Sequence, residues 1–125
     1  MTDNVNHPKH YEAGPSVTIE CIDVARHLPF ARGNAFKYVW RCGKKGGPEQ
    51  AVEDLEKALW YLGDDRELDM EQDCYAAKAV FSLIPVGTDI RYLALRDIVN
   101  GNDIAWERVS SWLEYLKFNH PGVQE

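Results

Sequence analysis

The chain has 125 residues, 45% of them hydrophobic, and carries 20 acidic against 14 basic side chains for a formal net charge of −6. That length fits one domain with a single modest core. The charge excludes general attraction to a polyanion, so any contact with a nucleotide or nucleic acid has to come from a local basic patch. The three cysteines, Cys21, Cys42 and Cys74, are odd in number and contain no C-x-x-C pair. They read as reduced core thiols of a cytosolic protein. No apolar run reaches the roughly 20 residues of a membrane span, and the polar start Met1-Thr2-Asp3-Asn4 lacks a signal-peptide core, which points to a soluble, unprocessed chain with no membrane partner.

No stretch sustains the period-2 alternation of a strand, and Pro, Gly and cap residues divide the sequence into five to six helical pieces, so a small all-α fold is expected. The first helix is expected from Ser16 to just before Pro29, with Ile22, Ala25 and Leu28 inward and Glu20, Asp23 and His27 on the other face. Val17-Thr18-Ile19 also suits a short extended lead-in. The second runs from Asn34, read as an N-cap after Gly33, to Cys42, burying Phe36, Val39 and Trp40 and leaving Lys37 and Arg41 on the opposite side. Pro48 opens the third, where Val52, Leu55, Leu59 and Leu62 repeat at helical spacing up to Gly63. The charged connector from Asp64 to Asp69 marks a soft boundary between a motif-rich region, 1–63, and a plainer helical region, 64–125, packed on the first. In that second region helices are expected over Glu71 to Ile84, Thr88 to Asn100 and Asp103 to Phe118, followed by a frayed tail.

Chemistry concentrates in the first region. Lys37 and Arg41, four apart on a helix, together with Lys44 and Lys45 in a glycine-rich loop, are the residue types that surround a phosphate. Gly46 and Gly47 lead into the next helix and offer backbone donors at its positive end. The competing view is a solvated charge run paired with Glu53, Asp54 and Glu56. The loop is not a Walker A motif, because the upstream glycine and the following Ser or Thr are missing. Glu20, Asp23 and His27, with Glu53 or Asp54 from a facing helix, form a candidate set for a hard divalent ion, and equally an ordinary solvated face. His7-Pro8-Lys9-His10-Tyr11 places two imidazoles, a cation and a phenol in an extended segment suited to a metal, a phosphate or a helix cap. Tyr38, Trp40, Trp60 and Tyr61 offer faces to a base, although aromatics at helical spacing are commonly core. No Ser/His/Asp or Cys/His nucleophile arrangement is present.

His7-Pro8-x-His10-Tyr11, Glu20-Cys21-Ile22-Asp23, Gly33-Asn34-Ala35-x-Lys37-Tyr38-x-Trp40-Arg41-x-Gly43-x-Lys45 and Glu53-Asp54-Leu55-x-Lys57-Ala58-x-Trp60-Tyr61-Leu62 together resemble the SaV-like family of small bacteriophage proteins. The resemblance covers residues 7–62. It implies a phage protein of the host cytoplasm, a family that includes a phage nucleotide kinase, and phosphoryl transfer from ATP or another nucleoside triphosphate to a deoxynucleoside monophosphate, with Mg2+, in a homo-oligomer. In that picture Lys37, Arg41 and His10 are catalytic. Asn34, Lys37, Arg41, Lys44, Lys45, Tyr11, Tyr38 and Trp60 bind the nucleotide, and Glu20, Asp23 and Asp54 hold the ion. Host takeover is the alternative: a non-catalytic effector that binds a host protein, with nucleic acid the weaker choice of partner. Glu53-Asp54-Leu55-Glu56-Lys57-Ala58-Leu59-Trp60-Tyr61 is more distantly similar to the metal-binding helix of all-α nucleoside triphosphate pyrophosphatases of the MazG type. There a second carboxylate follows the first at E-x-x-D; here Lys57 stands three residues after Asp54. The resemblance implies a related helical scaffold that binds nucleotides, with pyrophosphatase chemistry as a further alternative.

Overall fold

A computed structural model describes residues 10–14, 17–63 and 73–124. Six α-helices dominate these residues: α1 (Cys21–Ala25), α2 (Phe30–Arg41), α3 (Pro48–Gly63), α4 (Tyr75–Phe81), α5 (Ile90–Asn100) and α6 (Ile104–Asn119), with a short 3-10 turn at Pro121–Gln124. The expected small all-α domain is therefore the observed fold class. None of these helices is long and apolar enough to cross a membrane.

At the start of the chain the helix expected from Ser16 gives way to the extended alternative at Val17-Thr18-Ile19. β1 (His10–Gly14) and β2 (Val17–Glu20) pair as an antiparallel hairpin, with His10 opposite Glu20 and Tyr11 opposite Ile19. The β-branched run Val17-Thr18-Ile19 favours an extended backbone, but four or five residues are too few to show a period. The first helix shrinks accordingly to five residues. Its start is fixed by a capping box at Glu20, whose backbone N–H donates to Asp23 Oδ2 at 2.8 Å, so the Glu-x-x-Asp spacing serves the helix end. With the helix opening at Cys21, Val24 takes the core position and Ile22 turns outward, 51% exposed, against the expectation that it packs inward.

The break before α2 is Pro29, in an extended conformation with ψ 163°, rather than Gly33-Asn34. Gly33 lies in the first turn because α1 crosses there: a Cβ at this position would sit 3.2 Å from the Ala25 carbonyl oxygen. Asn34 is consequently a helix-interior residue, its side-chain amide donating to the Phe30 carbonyl at 2.9 Å. α3 matches its expected bounds, Pro48 to Gly63. The later helices are shorter at their starts than expected; the stretch 64–72, with the expected start of the fourth helix at Glu71, lies outside the described residues.

A continuous core runs from Ile19 and Val24 through Phe36, Val39, Trp40, Val52 and Leu55 to Phe81, Leu95, Ile98 and Val109. Each fully buried aliphatic side chain contributes about 1.5–3 kcal/mol relative to exposure. Phe36 meets Phe81 edge-on at 6.3 Å and Phe81 meets Tyr92 at 5.3 Å, so both halves of the chain share this core.

Two arginines tie α2 to α5 at both ends. Arg32, 1% exposed in the first turn of α2, donates to the carbonyls of Ile98 (3.1 Å) and Val99 (2.7 Å) at the end of α5. Reciprocally, Arg91 in the first turn of α5 donates to the carbonyls of Val39 (3.3 Å) and Cys42 at the end of α2. A guanidinium against the terminal carbonyls satisfies acceptors that a helix leaves unpaired and faces the negative end of its dipole.

Candidate functional site

α2 and α3 form an antiparallel pair joined by Gly43-Lys44-Lys45-Gly46-Gly47. Gly46 adopts φ +81°, and a Cβ there would also fall 2.6 Å from Gln50 Cβ, so the turn demands glycine. Lys45 is exposed, while Lys44 is half-buried with its ammonium 4.9 Å from the Trp40 ring centroid, a cation–π arrangement.

Helical spacing lines up Phe30, Asn34, Lys37, Tyr38 and Arg41 along the outer edge of α2, and Gln50, Asp54, Lys57 and Tyr61 along the facing edge of α3. At the loop end Asp54 is fully buried, 0% exposed. Its Oδ1 accepts from Arg41 Nε at 3.1 Å and from Gln50 Nε2 at 2.9 Å, and its Oδ2 has no hydrogen-bond partner. The Arg41 side chain remains 41% exposed and engages Asp54 through Nε. That leaves its terminal nitrogens as the fork that suits a phosphate.

Farther along, three cations gather around one phenol ring: Lys37 at 4.6 Å, Arg41 at 5.3 Å and Lys57 at 5.5 Å from the Tyr38 centroid. Lys57 also pairs with Glu53 at 3.2 Å. Tyr38 stacks on Tyr61 at 6.2 Å, and Tyr61 contacts Phe30 at 6.0 Å and Trp60 at 5.0 Å. Phe30 and Trp60 stay 76% and 55% exposed.

On its other side the same edge of α2 borders a cleft of about 490 Å³ against α1. Cys21, Ile22, Ala25, Leu28, Pro29, Phe30 and Gly33 make it apolar, with Arg26, Asn34 and Lys37 as its polar members. Burial pushes the Cys21 thiol up to about 12, with Lys44 and Lys37 pulling the other way, so the thiol is neutral at physiological pH and both lysines act on the cleft floor. Cys21 is thus a cleft wall, not the core thiol expected; Cys42 and Cys74 are buried.

Of the residues singled out in the sequence, Asn34 and Lys37 line this cleft, Lys37, Arg41 and Tyr38 form the cation cluster, and Lys44 and Lys45 stand on the adjoining loop. Trp60 lies at the aromatic end, beside Tyr61. The proposed ion ligands do not come together. Among the described residues no group of three or more His, Cys, Asp or Glu side chains is placed to hold a metal. Glu20 and Asp23 are engaged in the capping box, and a guanidinium occupies the approach to Asp54. His10 and Tyr11 have backbones in β1, but their side chains, like all of His7, lie outside the described residues. Sequence reasoning overlooked Phe30 and Gln50, which the i, i+4 spacing from Asn34 and Asp54 would have placed on the same edges, and noted Lys57 only as a departure from a carboxylate pattern.

A family model described as a protein of unknown function (DUF3310) matches residues 5–63, a span that contains the cleft, the cation cluster and the loop between α2 and α3. Comparison with curated proteins and with solved structures gave no match.

Proposed function

We propose that this protein is a nucleotide-handling enzyme, most concretely a deoxynucleoside monophosphate kinase of phage origin that takes its phosphate from ATP or another nucleoside triphosphate in the host cytoplasm. The observation that carries the reading is the double placement of Lys37: one ammonium borders an apolar cleft and belongs to the cation cluster with Arg41 and Lys57. Such a junction suits a ligand with one flat apolar end and one anionic end. Phosphoryl transfer asks the protein chiefly for positioning and charge neutralisation. Lys37, Arg41, Lys44 and Lys45 supply charge, and Asp54 fixes the Arg41 guanidinium through its Nε. Glu20, Asp23 and Asp54 do not fit as a protein-borne magnesium site, so no step is assigned to them; Mg2+ would come coordinated by the nucleotide's own phosphates.

The test is product analysis by chromatography after incubation with ATP, magnesium and each deoxynucleoside monophosphate in turn. A deoxynucleoside diphosphate should appear and be lost in Lys37→Ala, whose exposed side chain makes no contribution to the core. No turnover by the folded protein refutes the reading, as does turnover undiminished in both Lys37→Ala and Arg41→Ala. Release of pyrophosphate would instead indicate pyrophosphatase chemistry.

The exposed rings of Phe30 and Trp60 favour a second reading, a homo-oligomeric effector that engages a host protein through this face. Nucleic acid would use the same cations and be recognised by binding that falls steeply with salt.

A further inference from the structure

The apolar cleft between α1 and α2 lies beside the cations. We infer that this cleft receives the nucleobase of the ligand, with Asn34 facing the base edge and Lys37 taking the first phosphate. The assignment rests on the nucleotide reading and sharpens it, because the exposed ring of Trp60 offers a rival position for the base on the α3 side.

Five observations support the cleft. Its volume of about 490 Å³ falls within the range of small-molecule sites. Its walls, from Ile22, Ala25, Leu28 and Gly33, are apolar and present no charge to a flat ring, and the Cys21 thiol is neutral. One N–H of the Asn34 amide donates to the Phe30 carbonyl, which leaves its second N–H and its carbonyl oxygen to pair with a base edge. Lys37 lies three residues farther along the same edge, about 5 Å along the helix axis, so a ligand read at Asn34 meets a cation next. Arg26, also on the rim, holds the Ile22 carbonyl through its Nε at 3.4 Å and keeps its terminal nitrogens as donors. On the α3 side the Trp60 ring stands edge-on to Tyr61 at an interplanar angle of 89° and is 55% exposed. A purine or pyrimidine in the cleft, ribose at its mouth and phosphates along Lys37, Arg41 and Lys44 uses each of these groups once.

The test separates this assignment from the nucleotide reading by using three probes: uncharged deoxynucleosides, deoxynucleoside monophosphates and inorganic pyrophosphate. Their binding to the intact protein is followed by amide shifts in nuclear magnetic resonance and by calorimetry. Deoxynucleosides should shift the amides of Cys21, Ala25 and Gly33. Ile22→Trp, which fills the cleft from a half-exposed position, should weaken monophosphate binding at least 10-fold and leave pyrophosphate binding unchanged; Asn34→Ala should reduce the preference among bases. Base preference that survives Ile22→Trp and vanishes in Trp60→Ala would overturn the cleft assignment while the nucleotide reading stands. A protein that binds neither monophosphates nor pyrophosphate would overturn both.

Discussion

Arg41→Ala is the obvious variant for an arginine proposed to bind phosphate, and the structure predicts that it also damages the fold in a specific way. Asp54 is 0% exposed, holds Arg41 Nε at 3.1 Å and Gln50 Nε2 at 2.9 Å on one oxygen, and has no partner for the other. Removing one member of a fully buried ion pair costs about 3–5 kcal/mol, because the remaining charge is stranded. Here Arg41 is 41% exposed, so its loss also admits water to Asp54, and about 2–3 kcal/mol is the appropriate size. With about 2 cal/mol/K of unfolding entropy per residue, that is a fall in Tm of about 8–11 °C for this chain. Asp54→Ala should cost less, about 1 kcal/mol: two hydrogen bonds disappear, but an unsatisfied buried oxygen goes with them and Arg41 remains solvated. Arg41→Ala/Asp54→Ala should then be no less stable than Arg41→Ala alone, a coupling of about 1 kcal/mol or more. Urea unfolding followed by circular dichroism at constant m measures all three. Additive effects, or an Arg41→Ala variant within about 0.5 kcal/mol of wild type, would refute the view of Asp54 as a buried charge that depends on Arg41. The same numbers make Lys37→Ala the cleaner probe of activity.

Three further outcomes follow from the geometry. Gly46→Ala, which must hold φ +81° and meets Gln50 Cβ at 2.6 Å, should destabilise by about 1–2 kcal/mol in urea titrations, and an unchanged midpoint would show that the turn can relax. Arg32→Leu removes the hydrogen bonds to the Ile98 and Val99 carbonyls; the Gly101 N–H still donates to Ile98, so Val99 is the acceptor left short, for a loss of about 2–3 kcal/mol, and Arg32→Lys should recover only part of it, since an ammonium lacks the planar fork. Burial pushes the Cys42 thiol from its ordinary 9.0 up to about 12, so between those values the unfolded chain releases a proton that the folded one keeps. Stability should therefore fall as pH rises through this window, by about 1.4 kcal/mol per pH unit for one thiol, and be untouched below it; Cys42→Ala should flatten that decline, and an identical alkaline profile would contradict it.

Legibility of the fold varied with the strength of local signals. α3 could be read to its ends because Pro48 starts it, Gly63 stops it and its apolar repeat spans four turns. The beginning of α2 was misread because Gly33-Asn34 has the composition of a helix cap, whereas Gly33 is small to let the Ala25 carbonyl approach, a tertiary cause with no local trace. The sequence offers Asp54 as an ion ligand facing Glu20, Asp23 and His27. Its place between Ala51 and Ala58 on the buried stripe already implied an interior carboxylate in need of a cation. The cleft depends on how α1 crosses α2, which periodicity does not encode, and the hairpin ahead of α1 is shorter than any period can reveal.

The division into a motif-rich first half and a plainer second half takes on a physical meaning through the two arginine clamps. α2 presents Asn34, Lys37 and Arg41 outward, so the precision of the proposed binding edge depends on what fixes its axis from behind. Arg32 and Arg91 fix it at both ends against α5, and Phe36 and Val39 lock its middle into the core with Phe81 and Leu95. Both clamps reach across more than fifty residues of sequence into the second half. A side chain held on a helix whose rotation and shift are both constrained loses less freedom when it meets a ligand, and the anion then gains more from each cation. The second half thus need not contain any ligand contact to matter for binding. On the proposed reading, loosening Arg91, which donates to the Val39 and Cys42 carbonyls at the end of α2, should weaken ligand affinity at Lys37 and Arg41 without removing a single cation from the cluster.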